Sequence, residues 1–125
     1  MSDEIYLGNP LLKKANVAQE FTKDQILEFM ACKHDPVYFA KQHVKIVSLD
    51  EGLVNFEPYD FQETLIRRFH ENRFNICKMP RQTGKSTTSV SYLLHYAVFN
   101  DNVNIGILAN KAATARDLLG RLQTA

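Results

Sequence analysis

The sequence holds little that would place it in a specialised class. Its two cysteines, Cys32 and Cys77, stand far apart in apolar contexts. That excludes a disulfide framework and predicts two reduced, buried thiols. No C-x-x-C pair occurs, and His34, His43, His70 and His95 follow no ligand spacing. A zinc site therefore has no support, and the histidines are expected at the surface or in packing. No run approaches the ~20 apolar residues of a membrane span. The acidic start, Met-Ser-Asp-Glu-Ile, leads into no apolar run and reads as no signal peptide. Internal repeats and low-complexity tracts are lacking. What is left, with 45% apolar and 23% charged residues in 125, is ordinary globular usage. That length supports one domain with a modest core, expected in the cytosol.

Net charge is +1, but it is not evenly spread. Residues 1–62 hold 6 Lys/Arg against 10 Asp/Glu, and residues 63–125 hold 9 against 4. The second part is the basic one, which suits an anionic ligand there and is equally compatible with scattered surface charge.

Residues 1–21 show no clear period and read as an N-terminal arm. Thr22, with Gln25 three residues on, forms a capping box that opens a helix with Ile26, Leu27, Phe29 and Met30 on its apolar face. Asp35-Pro36 supplies the cap and first-turn proline of a second helix. Residues 45–49 and 53–56 flank Asp50-Glu51-Gly52 and predict a β-hairpin. Asp60 with Glu63 resembles another capping box, opening a helix through about His70.

A different rhythm follows. Phe74-Asn75-Ile76-Cys77 reads as a short buried strand. A helix over 85–99 follows, with Val90, Leu93, Leu94, Ala97 and Val98 inward, then a strand over 103–109 and a helix from Lys111 to about Gln123 capped by Asn110. Strand, loop, helix, strand, helix predicts a parallel α/β unit with a right-handed crossover. The expected fold class is α/β: a partial P-loop NTPase, preceded by a small α+β lead-in with the hairpin. Two parallel strands do not complete a sheet buried on both faces, so residues 22–125 are expected to be the N-terminal part of a larger ATPase domain.

Between the first of these strands and its helix lies Met79-Pro80-Arg81-Gln82-Thr83-Gly84-Lys85-Ser86. The phosphate-loop fingerprint is G-x-x-x-x-G-K-[ST]; Gly84, Lys85 and Ser86 match, and Met79 replaces the first glycine. The tripeptide alone recurs by chance, and its position before an amphipathic helix makes it specific. Gly84, lacking Cβ, lets the backbone wrap closely around phosphate oxygens. The N–H groups of Gln82, Thr83 and Gly84, with those of the helix start, can form an anion cradle. Lys85 would neutralise β- and γ-phosphate charge, the Ser86 hydroxyl would ligate Mg²⁺, and Thr87 adds a hydroxyl nearby. Arg81 could approach the γ-phosphate and stabilise transition-state charge, or be structural or DNA-facing. Upstream, the Gln62 amide can donate and accept at once, matching adenine's N6 amine and N7, and Phe61 can stack on a base or pack in the core.

Pro80-Arg81-Gln82-Thr83-Gly84-Lys85-Ser86-Thr87 resembles the loop of the large terminase subunit of tailed bacteriophages, the type found in large contractile-tailed myoviruses. That family's loop reads x-R-Q-x-G-K-[ST]-T and often lacks the first glycine. Phe61-Gln62 is similar to its adenine-reading Q motif, which more often has Tyr before the Gln. Asp35 to Ala40 and Gly106 to Lys111 resemble two further segments, so the likeness spans roughly residues 9–125. The resemblance implies an ATP-hydrolysing motor that pumps DNA into a capsid. It implies ATP and Mg²⁺ as cofactors, and Gln62 as the adenine reader. It implies double-stranded viral DNA, a small terminase subunit, the capsid portal and the rest of the terminase chain as partners, with no membrane, in the host cytoplasm.

The Walker B aspartate, the catalytic glutamate and the nuclease domain of that family have no counterpart here, so the chain alone is expected not to turn over ATP. Two alternatives share the loop. One is a helicase-type ATPase fragment, and the other is a non-catalytic module binding nucleic acid or a partner.

Overall fold

The computed structural model describes residues 5–125; the acidic start, residues 1–4, lies outside the described residues. In chain order the elements are β1 (Ile5–Tyr6), β2 (Asn9–Lys13), α1 (Lys23–His34), α2 (Pro36–His43), β3 (Lys45–Ser48), β4 (Gly52–Asn55), α3 (Asp60–Glu71), α4 (Lys85–Phe99) and α5 (Ala112–Thr124). Part of the expected arm is thus a short antiparallel hairpin, β1–β2.

The helix starts follow local chemistry. Thr22 Oγ1 accepts the Gln25 N–H at 3.2 Å and Gln25 Oε1 accepts the Thr22 N–H at 3.0 Å, the capping box expected there. Asp35 closes α1 through its N–H to Ala31 O, and opens α2 through its carboxylate, which accepts from the Val37 and Tyr38 N–H groups. One residue serves both helices, so α1 and α2 meet with no intervening loop. Pro36 stands at the first position of α2, where its missing N–H costs nothing. The β3–β4 hairpin pairs Lys45 with Asn55 and Ser48 with Gly52, and Gly52 takes a φ of +75° that a side chain would resist.

Two expected caps differ. The Asp60–Glu63 box does not form. Tyr59 caps α3, and Gln62 reaches back to its N–H. The cap of α5 is Lys111 rather than Asn110.

The core sits where α2 meets its neighbours. Cys32, Val37, Phe39, Ala40, Val44, Phe56 and Ile66 form one buried cluster, with Tyr92, Leu94 and Phe99 of α4 packed against it. The expected face of α1 is not buried: Ile26, Leu27, Phe29 and Met30 are all exposed, and Cys32 is the residue that α1 buries. On α4, Val90 is buried as expected, but Ala97 and Val98 are exposed, and Thr88, Ser91 and His95 turn inward instead. His95 is a packing histidine. Its ring lies 4.7 Å from Phe99 and 5.4 Å from Phe39, and its Nε2 is 2.8 Å from Cys32 O. Burial pushes its pKa down. The two thiols part company: Cys32 is buried, its pKa pushed up to about 11 by burial and then by the Glu28 carboxylate, whereas Cys77 is exposed.

The fold class differs from the expectation. The described residues form a mostly helical domain with two two-stranded antiparallel hairpins, and no parallel sheet. It is not a P-loop NTPase core. Segments 74–77 and 103–109 form no paired strand, with Ile76 and Leu108 fully or almost fully exposed. The reason is that a parallel strand fills its hydrogen bonds only from neighbours on either side, and stability requires apolar cover on both faces. Neither segment has such neighbours among the described residues. The helices α4 and α5 fill their own bonds along the chain and persist without the sheet. No described helix is long and apolar enough to cross a membrane.

Candidate functional site

The residues singled out in the sequence converge where α3 begins and α4 begins. Gly84 is the N-cap of α4 and adopts φ +70°, ψ 22°, the left-handed conformation. Gln82, two residues earlier, also has positive φ, at 59°. These turns bring the chain into the helix so that the first bond of α4 is Thr88 N–H to Gly84 O at 2.9 Å, seconded by Thr88 Oγ1 to the same oxygen at 2.8 Å. The N–H groups of Lys85, Ser86 and Thr87 precede any intrahelical acceptor. With the helix dipole they carry about half a positive charge, and no acidic side chain occupies the first turn to neutralise it.

The loop is braced from inside. Thr83 Oγ1 donates to Pro80 O at 3.0 Å, and Lys85 Nζ donates to Met79 O at 3.1 Å. The Lys85 ammonium keeps further donors for an anion. Ser86 and Arg81 are exposed, and Thr87 is half-buried. Arg81 has no ion-pair partner among the described residues.

Gln62 lies against this loop, only 3% exposed. Its Oε1 accepts the Tyr59 N–H at 2.9 Å, and its Nε2 is 3.5 Å from Gly84 O. The amide expected to read adenine thus holds two backbone segments, the α3 cap and the α4 cap, in one register. Gly84 is required on two counts: its φ is positive, and a Cβ there would stand 2.4 Å from Gln62 Nε2. What faces outward at this helix start is aromatic. Tyr59 and Phe61 are both exposed, with ring centroids 5.9 Å apart and planes 13° from parallel. Phe61 is therefore not core, and Tyr59 is a site residue that pattern reading passed over. Its signal was an aromatic two positions from another at a helix start, where both project to the same side.

A cavity of about 550 Å³ opens between β3, the first turns of α4, and α5, and among the loop residues only Thr87 reaches it. No known protein-family profile matches the chain.

Proposed function

We propose that residues 82–87 bind the phosphates of ATP–Mg²⁺, and that the chain works as the N-terminal ATPase segment of a terminase-type DNA-packaging motor in the host cytoplasm. The observation that carries the proposal is the left-handed Gly84 at the head of α4, with Lys85, Ser86 and Thr87 on the first turn behind it. That arrangement would offer unpaired N–H groups, a cation and a hydroxyl to one anion. The proposal rests on the loop and helix α4 and needs no sheet beneath them. Ser86 would ligate the Mg²⁺, and Lys85 and Arg81 would stabilise charge on the terminal phosphate. The base would stack on Tyr59 and Phe61, since the Gln62 amide is committed to Tyr59 and Gly84. The motor's viral DNA, small subunit and portal belong to the same proposal through the resemblance of the loop.

Hydrolysis needs more than this. A held metal and an oriented water require acidic groups. After Gln62 the chain offers only Glu63, Glu71, Asp101 and Asp117. Glu63 is engaged by Lys41 at 2.6 Å, Arg68 lies 3.8 Å from Glu71, and Asp117 is paired with Arg121. The chain by itself is therefore expected to bind ATP without turning it over. Isothermal titration with Mg-ATP tests the binding: Lys85→Ala should abolish it, and equal affinity for the two proteins would sink the proposal. A phosphate-release assay tests the second part, and Lys85-dependent turnover by residues 1–125 would overturn it.

A further inference from the structure

Away from the loop, the junction of α1 and α2 gathers three side chains of different chemistry. Glu28 and Cys32 stand four residues apart, on one face of α1. His43 is the last residue of α2. Because Asp35 caps both helices, α2 folds directly back along α1 and brings His43 to that face. The Cys32 Sγ is 3.6 Å from Glu28 Oε1, and His43 Nε2 is 2.9 Å from the same oxygen. All three donor atoms lie within 4.8 Å of one another.

We propose that Glu28, Cys32 and His43 form a three-ligand site for a zinc-like divalent cation that fastens α1 to α2. Metal–ligand bonds of about 2.0–2.3 Å at tetrahedral angles put ligand atoms about 3.3–3.7 Å apart. Two of the three separations, 3.6 and 2.9 Å, stand within about 0.4 Å of that, and the third, between Cys32 Sγ and His43 Nε2, lies within 4.8 Å and closes by rotation of the exposed His43 side chain. The mixed set of sulfur, imidazole and carboxylate selects zinc, or cobalt in its place, over the oxygen-seeking magnesium and calcium. The second Glu28 oxygen accepts the Tyr38 hydroxyl at 3.0 Å, the kind of outer partner that orients a ligating carboxylate. On binding, the Cys32 thiol proton leaves to solvent, the imidazole binds neutral through Nε2, and the fourth position is open to water. Cys32 is otherwise sealed in the core, so the cation would approach from the exposed side, where Glu28 and His43 lie.

Sequence spacing hides this site. It has no paired cysteines, and its third ligand comes from a separate helix whose direction is set by the Asp35 cap.

The test is a cobalt titration of untagged, reduced, metal-free residues 1–125, followed by the near-ultraviolet sulfur-to-cobalt charge-transfer band and by competition with zinc. The wild type and Cys77→Ser should show the band at one equivalent. Cys32→Ser should lose it. His43→Gln should weaken cobalt at least about tenfold, and Tyr38→Phe by about tenfold with the band retained. Zinc should raise Tm in the wild type and Lys85→Ala but not in His43→Gln. Absence of the band in the wild type would overturn the proposal, as would its loss in Cys77→Ser or unchanged affinity in His43→Gln. Should Cys32→Ser not fold, the exposed His43→Gln variant decides. Because no nucleotide enters the assay, the outcome is independent of the phosphate-loop reading.

Discussion

Helices α2 and α3 and the two segments 74–77 and 103–109 all carry large apolar residues, but only the helices bring residues into the core. Val37, Phe39, Ala40 and Ile66 are buried to within a few per cent, while Ile76 and Leu108 are exposed over nearly all their surface. The difference lies in where each element finds its hydrogen bonds. A helix closes its own bonds along the chain, and its apolar stripe then needs only one neighbour. An extended segment has neither bonds nor cover until another strand lies beside it. The apolar content of a stretch therefore says that burial is possible, not that its partner is at hand.

Paired truncations test that contrast most directly. Ile66→Ala should cost about 2–5 kcal/mol in urea denaturation, because it opens a void among Val37, Val44 and Phe56. Ile76→Ala, with nothing packed on it, should stay within about 0.5 kcal/mol. A large loss at Ile76 would show that the segment is covered in solution and would erase the difference between the two regions.

Gly84→Ala probes the point where Gln62 of α3 meets the loop. Forcing a side chain into the left-handed conformation costs about 1–2 kcal/mol, and the new Cβ displaces the Gln62 amide. The variant should lower the denaturation midpoint and weaken ATP and inorganic triphosphate alike. Gln62→Ala should do the same, since that amide shapes the loop. If Gln62→Ala weakened ATP alone and spared triphosphate, the amide would be reading the base.

His95 gives the core a pH dependence that the exposed segments lack. Its burial favours the neutral ring, and its Nε2 donates to Cys32 O while Nδ1 has no partner among the described residues. Its folded pKa lies below the ordinary value of 6.5, so the unfolded chain takes up the proton first as pH falls. Stability from this group is complete above pH ~6.5 and declines below it. Urea midpoints measured from pH 7.5 to 5 should fall in the wild type and fall less in His95→Phe.

A modest effect is expected at the α1 capping box. Thr22→Ala should cost about 1 kcal/mol by removing the acceptor of the Gln25 N–H. Helicity measured by circular dichroism should drop slightly, with the α2–α3 core intact.

Most helix limits are legible in the chain because they depend on residues within four positions of each other. Thr22 with Gln25, Asp35 with Pro36, and Gly84 before Lys85 each mark a start that the structure keeps, and Gly52 marks the turn of the β3–β4 hairpin. The loop before α4 belongs to the same group, since a glycine with positive φ at a helix start is a local device. The Tyr59 cap of α3 was less legible, because the box closes one residue earlier than expected, with Gln62 accepting the Tyr59 N–H while also lying against Gly84, 22 residues away in sequence.

By itself, then, the sequence determined the five helices, the hairpin turn at Gly52 and the glycine-capped start of α4, all of which rest on short-range hydrogen bonds and backbone preference. Only the tertiary structure decided which faces are buried, that Cys32 is sealed while Cys77 is exposed, that Gln62 braces the loop, and that His43 meets Glu28 and Cys32. Those outcomes depend on how α2 packs against α1, α3 and α4. That packing sets contacts between residues far apart in the chain, which no local pattern encodes.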